Sequence, residues 1–222
     1  MRERLLRVAR RLAGRPPVIY SVSGAPDSVA LTFDDGPSTW TPEVAAALER
    51  HGCLGTFFIR GEAVAETPEP AARLAAAGHE LGSHLWSHSD PELQSVAELR
   101  DEIERTAWAI GKATGVRPTL LRPPYCGAPH KVARAATRGG VDTVVLRSVD
   151  PADWSLESAD EIFDRVMARV RPGDIVCLHD GMPAGSSGTS TRAPTAAAVA
   201  RLVPALLERG LRPVTVSELL AR

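Results

Sequence analysis

What constrains this chain most is a change of hydrophobic period that recurs from Val29 onward. Short apolar runs alternate with stretches whose apolar residues return about every 3.6 positions. A capping or turn residue marks each change, so the pattern predicts parallel strands joined by crossover helices, an α/β fold. The strand candidates are residues 29–33, 54–59, 80–83, 120–122, 143–148, 174–178 and 213–216. Thr41 reads as an N-cap with Pro42 at the first helical position, Val44, Ala47 and Leu48 on one face, and Gly52 as the stop. Ser95 with Glu98, and Ser158 with Glu161, read as capping boxes. They open helices striped by Leu99, Ile103, Thr106 and Ile110, and by Ile162, Val166 and Val170. A late helix is expected over residues 195–209, with Pro204 bending or restarting it and Gly210 ending it. Seven strands suit either an open doubly wound sheet or a barrel one unit short of eight. In both, chemistry collects at the carboxyl ends of the strands.

The 222 residues fit one domain, and no internal repeat interrupts them. A hydrophobic fraction of 44% with 26 basic against 27 acidic side chains excludes a disordered chain and a surface that draws nucleic acid by bulk charge. No integral membrane segment is expected, because Arg, Pro or Gly interrupts every apolar run before bilayer length. Cys53, Cys126 and Cys177 are odd in number and far apart, which fits a reducing compartment better than a disulfide framework. Residues 1–26 read as a basic arm that starts like an export signal but lacks the apolar stretch that should follow, so the cytoplasm is the expected address. Pro16 and Pro17 end the arm. It is expected either to pack as an amphipathic helix or to touch an anionic membrane peripherally. Residues 27–222 are expected to form the domain.

The polar residues at the strand ends carry the functional signal. The first strand ends in Thr32-Phe33-Asp34-Asp35-Gly36-Pro37, two adjacent carboxylates before a tight turn. The third ends in His84-Leu85-Trp86-Ser87-His88, and two imidazoles four apart share one face of a helical turn, a spacing suited to one metal ion. Later ends supply Arg122-Pro123-Pro124-Tyr125, then Asp150-Pro151-Ala152-Asp153-Trp154, then Cys177-Leu178-His179-Asp180. Turns, ion pairs or caps explain each alone. All of them together read as an active site.

In this order the five motifs resemble those of the polysaccharide deacetylases with a NodB-homology domain, carbohydrate esterase family four. The resemblance implies a distorted barrel of about seven βα units. It also implies a divalent metal, usually zinc and alternatively an ion such as cobalt, with Asp35, His84 and His88 as ligands. By the same resemblance Asp34 is the general base and His179 the general acid. Arg122 sits beside Asp34 and Asp153 beside His179, and the Tyr125 backbone N–H contributes to an oxyanion hole. Trp154 and Cys177 wall the acetyl pocket. The pairings push each pKa the way its role needs, since a cation favours carboxylate and an anion favours imidazolium.

Four positions depart from the family pattern: Cys126 where glycine is common, Leu85 in place of Ser or Thr, Cys177 in place of a larger aliphatic residue, and Arg147 where an apolar or aromatic residue is usual. None removes a ligand or proton-transfer group. The stretch 181–194, rich in Gly, Ser and Thr, is expected to be a mobile rim or a disordered loop. Three functions remain open: N-deacetylation of a GlcNAc-containing glycan or glycoconjugate; hydrolysis of a small amide, imide or acetyl ester; and glycan binding without catalysis. The leading expectation is a short soluble N-acetylated amino sugar as substrate, with Trp40 and Trp86 as possible stacking faces.

Overall fold

A computed structural model describes residues 14–183 and 188–222. Within them eight parallel strands form one curled sheet with helices packed around it. The chain runs β1 (Val18–Ile19), β2 (Ser28–Asp34), α1 (Thr41–Glu49), β3 (Thr56–Ile59), α2 (Gly61–Glu66), α3 (Glu69–Ala76), β4 (Glu80–Ser83) and α4 (Val96–Thr114). It continues through β5 (Leu120–Leu121), α5 (Pro129–Ala135), β6 (Thr143–Val145), α6 (Ala159–Met167), β7 (Ile175–His179), α7 (Ala193–Glu208), β8 (Arg212–Val214) and α8 (Val216–Ala221). The sheet order is β1-β6-β5-β4-β3-β2-β7, with β8 beside the start of β2. Single bridges, Val149 to Val176 and Ser21 to Asp174, join the segments after β6 and β1 to the β7 edge. The result is the distorted barrel that the resemblance implied.

Alternation along β2 explains how the core and the site share one strand. Val29, Leu31 and Phe33 join the large cluster with α1, α6 and α7, whereas Ala30 belongs to an inner cluster with Phe58, Leu120, Val145 and Ile175. Thr32 and Asp34 lie on the Ala30 side, because successive side chains of a strand point to opposite faces. At the amino ends of the strands α8 closes the interior with Val216 and Leu219. Its first N–H groups donate to Thr56 Oγ1 at 2.9 Å and Glu80 Oε2 at 3.2 Å. The opposite, carboxyl end is left for the site.

Several local expectations change. Trp40, not Thr41, is the N-cap of α1, and the Thr41 hydroxyl is drawn away to Asp180. Ser95 and Glu98 form a full capping box, but Ser158 forms only half of one, because the Glu161 carboxylate is taken by Arg165. Residues 213–216 split: β8 ends at Val214, and Thr215 with Glu218 makes a capping box that starts α8. The late helix α7 begins at Ala193 and runs unbroken through Pro204. Sequence reasoning did not anticipate β1, α2, α3, α5 or α8. The first of these sets where the barrel begins: Ile19, Val22 and Ala25 are buried, so it starts upstream of residue 27. Residues 1–13, most of the expected arm, lie outside the described residues. Among the described residues no helix is long and apolar enough to cross a membrane.

Gly82 links this packing to the site. A Cβ there would lie 2.4 Å from the Phe58 ring. That ring supports the Arg122 guanidinium at 4.3 Å. Gly82→Ala is expected to cost about 1–3 kcal/mol in denaturant unfolding. It should also lower whatever activity depends on Arg122. Unchanged unfolding midpoints would show that the ring has room to shift.

Candidate active site

Asp34 and Asp35 are neighbours in sequence, and an extended strand would send them to opposite faces. Asp35 instead adopts φ 75°. The left-handed turn breaks the alternation, and both carboxylates, 3% and 4% exposed, line one cleft of about 470 Å³. His84, His88, Tyr125, Cys126, Arg147, Trp154, Cys177 and His179 line the same cleft. The residues to which the resemblance gave a catalytic, metal-binding or pocket role are therefore brought to one place, either in the cleft wall or, for Arg122 and Asp153, bonded directly behind it, whereas the expected stacking faces Trp40 and Trp86 do not line the cleft.

Arg122 follows β5 and is fully buried. Its Nη1 donates to Asp34 Oδ1 and Thr32 Oγ1, both at 2.7 Å, its Nη2 to the Leu146 carbonyl at 2.8 Å and its Nε to the Val145 carbonyl at 3.3 Å. Burial by itself raises the Asp34 carboxyl. Arg122, with His84 and His179, outweighs burial and the repulsion of Asp35, leaving the group below the ordinary carboxylate value. Cys177 donates its thiol to Asp34 Oδ2 at 3.4 Å. Burial beside that carboxylate pushes the Cys177 thiol well above its usual value, so it stays a neutral wall.

Across the cleft His179 Nδ1 meets Asp153 Oδ1 at 2.8 Å. The other Asp153 oxygen accepts the His179 N–H at 2.9 Å and the Thr195 hydroxyl at 2.8 Å. Burial depresses the imidazole, but the Asp153 carboxylate overcomes it and pushes His179 up to about 9. With Nδ1 committed to Asp153, Nε2 is the nitrogen left for the cleft.

The third group is Asp35 with the two histidines. His84 Nε2 and His88 Nε2 lie 3.3 and 3.1 Å from Asp35 Oδ1. His84 Nδ1 is 2.8 Å from the Arg122 carbonyl, which can only accept, so Nδ1 carries a proton, and in the neutral ring Nε2 is the nitrogen that turns a lone pair toward the carboxylate. Asp35 Oδ1 is buried and has no hydrogen-bond partner. A lone pair facing an orphaned carboxylate oxygen is repulsive unless a cation lies between them. Two imidazoles and one carboxylate are a donor set suited to zinc and similar divalent ions. The residues therefore fit the metal that the resemblance implied. Burial raises the Asp35 carboxyl, yet the two imidazoles hold it well below the usual range.

The histidine loop corrects the sequence reading. Residues 84–88 are not a helical turn: Leu85 and His88 both have φ 62°, and the imidazoles converge because the loop curls. Tyr125 also differs from ordinary turn geometry, with φ 58° inside the short 3₁₀ segment Pro124–Cys126. Cys126, at φ 53°, adopts the left-handed conformation that the usual glycine would take without strain. The Cys126 and Gly127 N–H groups are occupied by the Pro123 and Pro124 carbonyls, while the Tyr125 N–H has no partner among the described residues. Arg147 lines the cleft with its Nε on Asp150 Oδ2 at 2.6 Å. Trp86 does not line it; Arg105 covers its ring at 4.2 Å.

Two further residues escaped sequence reasoning. Arg192, 2% exposed, donates to the carbonyls of Gly181 at 3.0 Å and Trp154 at 3.3 Å, tying the loop after His179 to the one after Asp153. The described part of the 181–194 rim is thus clamped rather than loose. Asp180, fully buried, receives the Thr41 hydroxyl and stands where a side chain on Gly36 would have to go. Burial, with Asp35 and Asp34 nearby, pushes it up to about 7. The place of Asp180 in the Cys177-Leu178-His179-Asp180 strand end was the available signal for it; a lone Arg before a helix gave none.

Residues 21–144 match the polysaccharide deacetylase family model. A chitooligosaccharide deacetylase from Bradyrhizobium sp. is 40% identical over 189 residues, 82% of this chain and 86% of that protein. A peptidoglycan N-acetylglucosamine deacetylase crystallised with a hydroxamate-type benzamide superposes with TM-score 0.85 at 30% identity, over 96% of each chain. A family-four pseudoenzyme from Bacillus anthracis superposes with TM-score 0.83 at 26% identity, over 92% of this chain and 69% of that one. The ordered motifs, the curled parallel sheet and these relatives agree: the chain belongs to the polysaccharide deacetylase family.

Proposed function

We propose that this protein removes N-acetyl groups from an amino-sugar substrate, a GlcNAc-containing oligosaccharide or glycoconjugate. The observation that carries the reading is the division of charge across one cleft. Asp34, held ionised by Arg122, and His179, held protonated by Asp153, flank the Asp35–His84–His88 group. A glycan-binding module has no use for a base and an acid kept in opposite states. The substrate class rests on the relatives, named as chitooligosaccharide and peptidoglycan N-acetylglucosamine deacetylases.

Asp35, His84 and His88 would hold a divalent ion, zinc or cobalt, whose chemistry is Lewis-acid polarisation of the acetamide and of the attacking water. Asp34 takes the proton from that water. Arg122 keeps the carboxylate aimed and ionised for the purpose, with one oxygen on the guanidinium and the other free of strong donors. The Tyr125 N–H, without a partner among the described residues, donates to the oxygen that gains charge as the carbonyl becomes tetrahedral. His179 gives its Nε2 proton to the sugar nitrogen, without which the amine leaves poorly. Trp154, about one-third exposed, and Cys177 wall the space for the acetyl methyl.

Acetate release from GlcNAc oligomers, peptidoglycan fragments, acetylxylan and sugar-free amides or imides, compared at matched concentration, tests the reading. Release from the oligomers is expected. Turnover of a sugar-free amide with no acetate from any glycan would overturn it in favour of a small-metabolite hydrolase, and no turnover of anything would favour a binding protein.

Elemental analysis should find one bound divalent ion per chain, with His84→Ala and His88→Ala each losing most of it; full metal content in both would refute the ligand set. Asp34→Asn and His179→Ala should keep the metal and lose on the order of a hundredfold or more in rate.

The pH profile adds a signed test. Wild-type turnover needs protonated His179 and should fall as pH rises through the His179 value. Asp153→Asn removes the anion that raises this value, so the basic limb should move to lower pH, toward the ordinary imidazole value of about 6.5. A basic limb that stays in place would assign it to another group.

A further inference from the structure

We infer that Glu102 is the positioning residue for the metal-binding loop, and for its His88 half in particular; the inference rests on the metal reading above. Glu102 lies on α4, outside the cleft and fourteen positions beyond His88. Its Oε2 accepts the backbone N–H groups of Trp86 at 2.9 Å and Ser87 at 3.2 Å. Its Oε1 accepts the Ser87 hydroxyl at 2.6 Å and the Gln94 amide at 3.1 Å. One carboxylate thus gathers the two successive N–H groups that lie midway between His84 and His88.

Those N–H groups need an external acceptor because of the loop's shape. Leu85 and His88 each turn left-handed at φ 62°, which takes residues 86 and 87 out of the strand ladder and out of any helical turn. Leucine disfavours this conformation, and its side chain cannot hydrogen-bond to hold it. Ionised Glu102 presents acceptors only, so each of its four bonds is charge-assisted and directed inward to the loop.

The two histidines are supported unequally. His84 follows β4 directly, its N–H bonded to the Ile59 carbonyl at 2.9 Å and its Nδ1 to the Arg122 carbonyl at 2.8 Å. His88 has neither support. Its Nδ1 is buried without a partner among the described residues, and its ring rests edge-on against Tyr125 at 4.8 Å. A metal-binding histidine ordinarily owes its orientation to a hydrogen bond on its other nitrogen. Here the backbone path fixed by Glu102 takes that part for His88, through the loop and not through the ring.

The test titrates full-length protein with Zn2+ against a chromophoric chelator, for wild type, Glu102→Gln and Glu102→Ala, and records the unfolding temperature of each metal-free protein. Zn2+ affinity is expected to fall about 10–100-fold in Glu102→Ala, the range for lost support behind a ligand. Glu102→Gln should fall between Ala and wild type, because it keeps one acceptor oxygen and turns an amide donor on the rest. If the Ala variant fails to fold, the Gln variant carries the comparison. A purely structural role would lower the unfolding temperature and leave affinity within about threefold of wild type in the folded variants, which would overturn the inference while leaving the metal reading intact. A wild type that binds no Zn2+ would overturn the metal reading itself.

Discussion

The rest of the site depends on one buried guanidinium. Arg122, with no exposed surface, bonds side chains of β2, carbonyls in and just after β6, and the Phe58 ring of β3, so a single cation ties together strands from across the barrel. A charge removed from water this completely is tolerated only when paired and fully hydrogen-bonded. Asp34 supplies the opposite charge, and the Thr32 hydroxyl with the Val145 and Leu146 carbonyls takes three further donors. Losing Asp34 as partner would leave an uncompensated cation, with a cost of roughly 3–5 kcal/mol. The same pairing that makes the interior tolerable keeps Asp34 ionised, so stability and charge state come from one contact. Arg122 also orients the first histidine, since its own carbonyl receives His84 Nδ1.

Around that hub the strand ends are bent out of regular geometry. Asp35, Leu85, His88, Tyr125, Cys126, Ala128 and Ala152 all have positive φ. Residues in such conformations persist only where the surroundings over-determine them, and they gather at functional sites. Support is visible for five of them: Asp35 faces the imidazoles, the loop of Leu85 and His88 closes on Glu102, Ala128 donates its N–H to Glu92 Oε1 at 2.9 Å, and Ala152 donates its N–H to Asp150 Oδ1 at 2.8 Å. The acid side is held by α7, whose Thr195 bonds Asp153 and whose N-cap, Arg192, pins both neighbouring loops.

The departures from the family pattern gather on one wall. Cys126, Arg147 and Cys177 all line the cleft, and Arg147 brings a guanidinium to a place where an apolar side chain is usual. The same cleft is lined by Asp34, His179 and the Asp35–His84–His88 group, the residues of the proposed base, acid and ligand set. Leu85, the fourth departure, is fully buried among Leu99, Ile103 and Leu121 and serves the core in place of the loop.

The sequence alone determined where the polar motifs would lie, because strand and helix periods, caps and turns are local and place each motif at a strand end. It also identified the Ser95–Glu98 cap and the parallel α/β order for the same reason. Tertiary structure decided how those residues face. The convergence of His84 and His88 looked like a helical spacing, but it comes from a loop whose shape is set by contacts with α4. Asp35 joins Asp34 in the cleft only through a left-handed turn that periodicity does not record. Thr41 left its expected cap for Asp180, 139 positions away, and Arg122 found Asp34 across 88. Pairings at such separations depend on closure of the sheet, and no local pattern of hydrophobicity or turn chemistry encodes them.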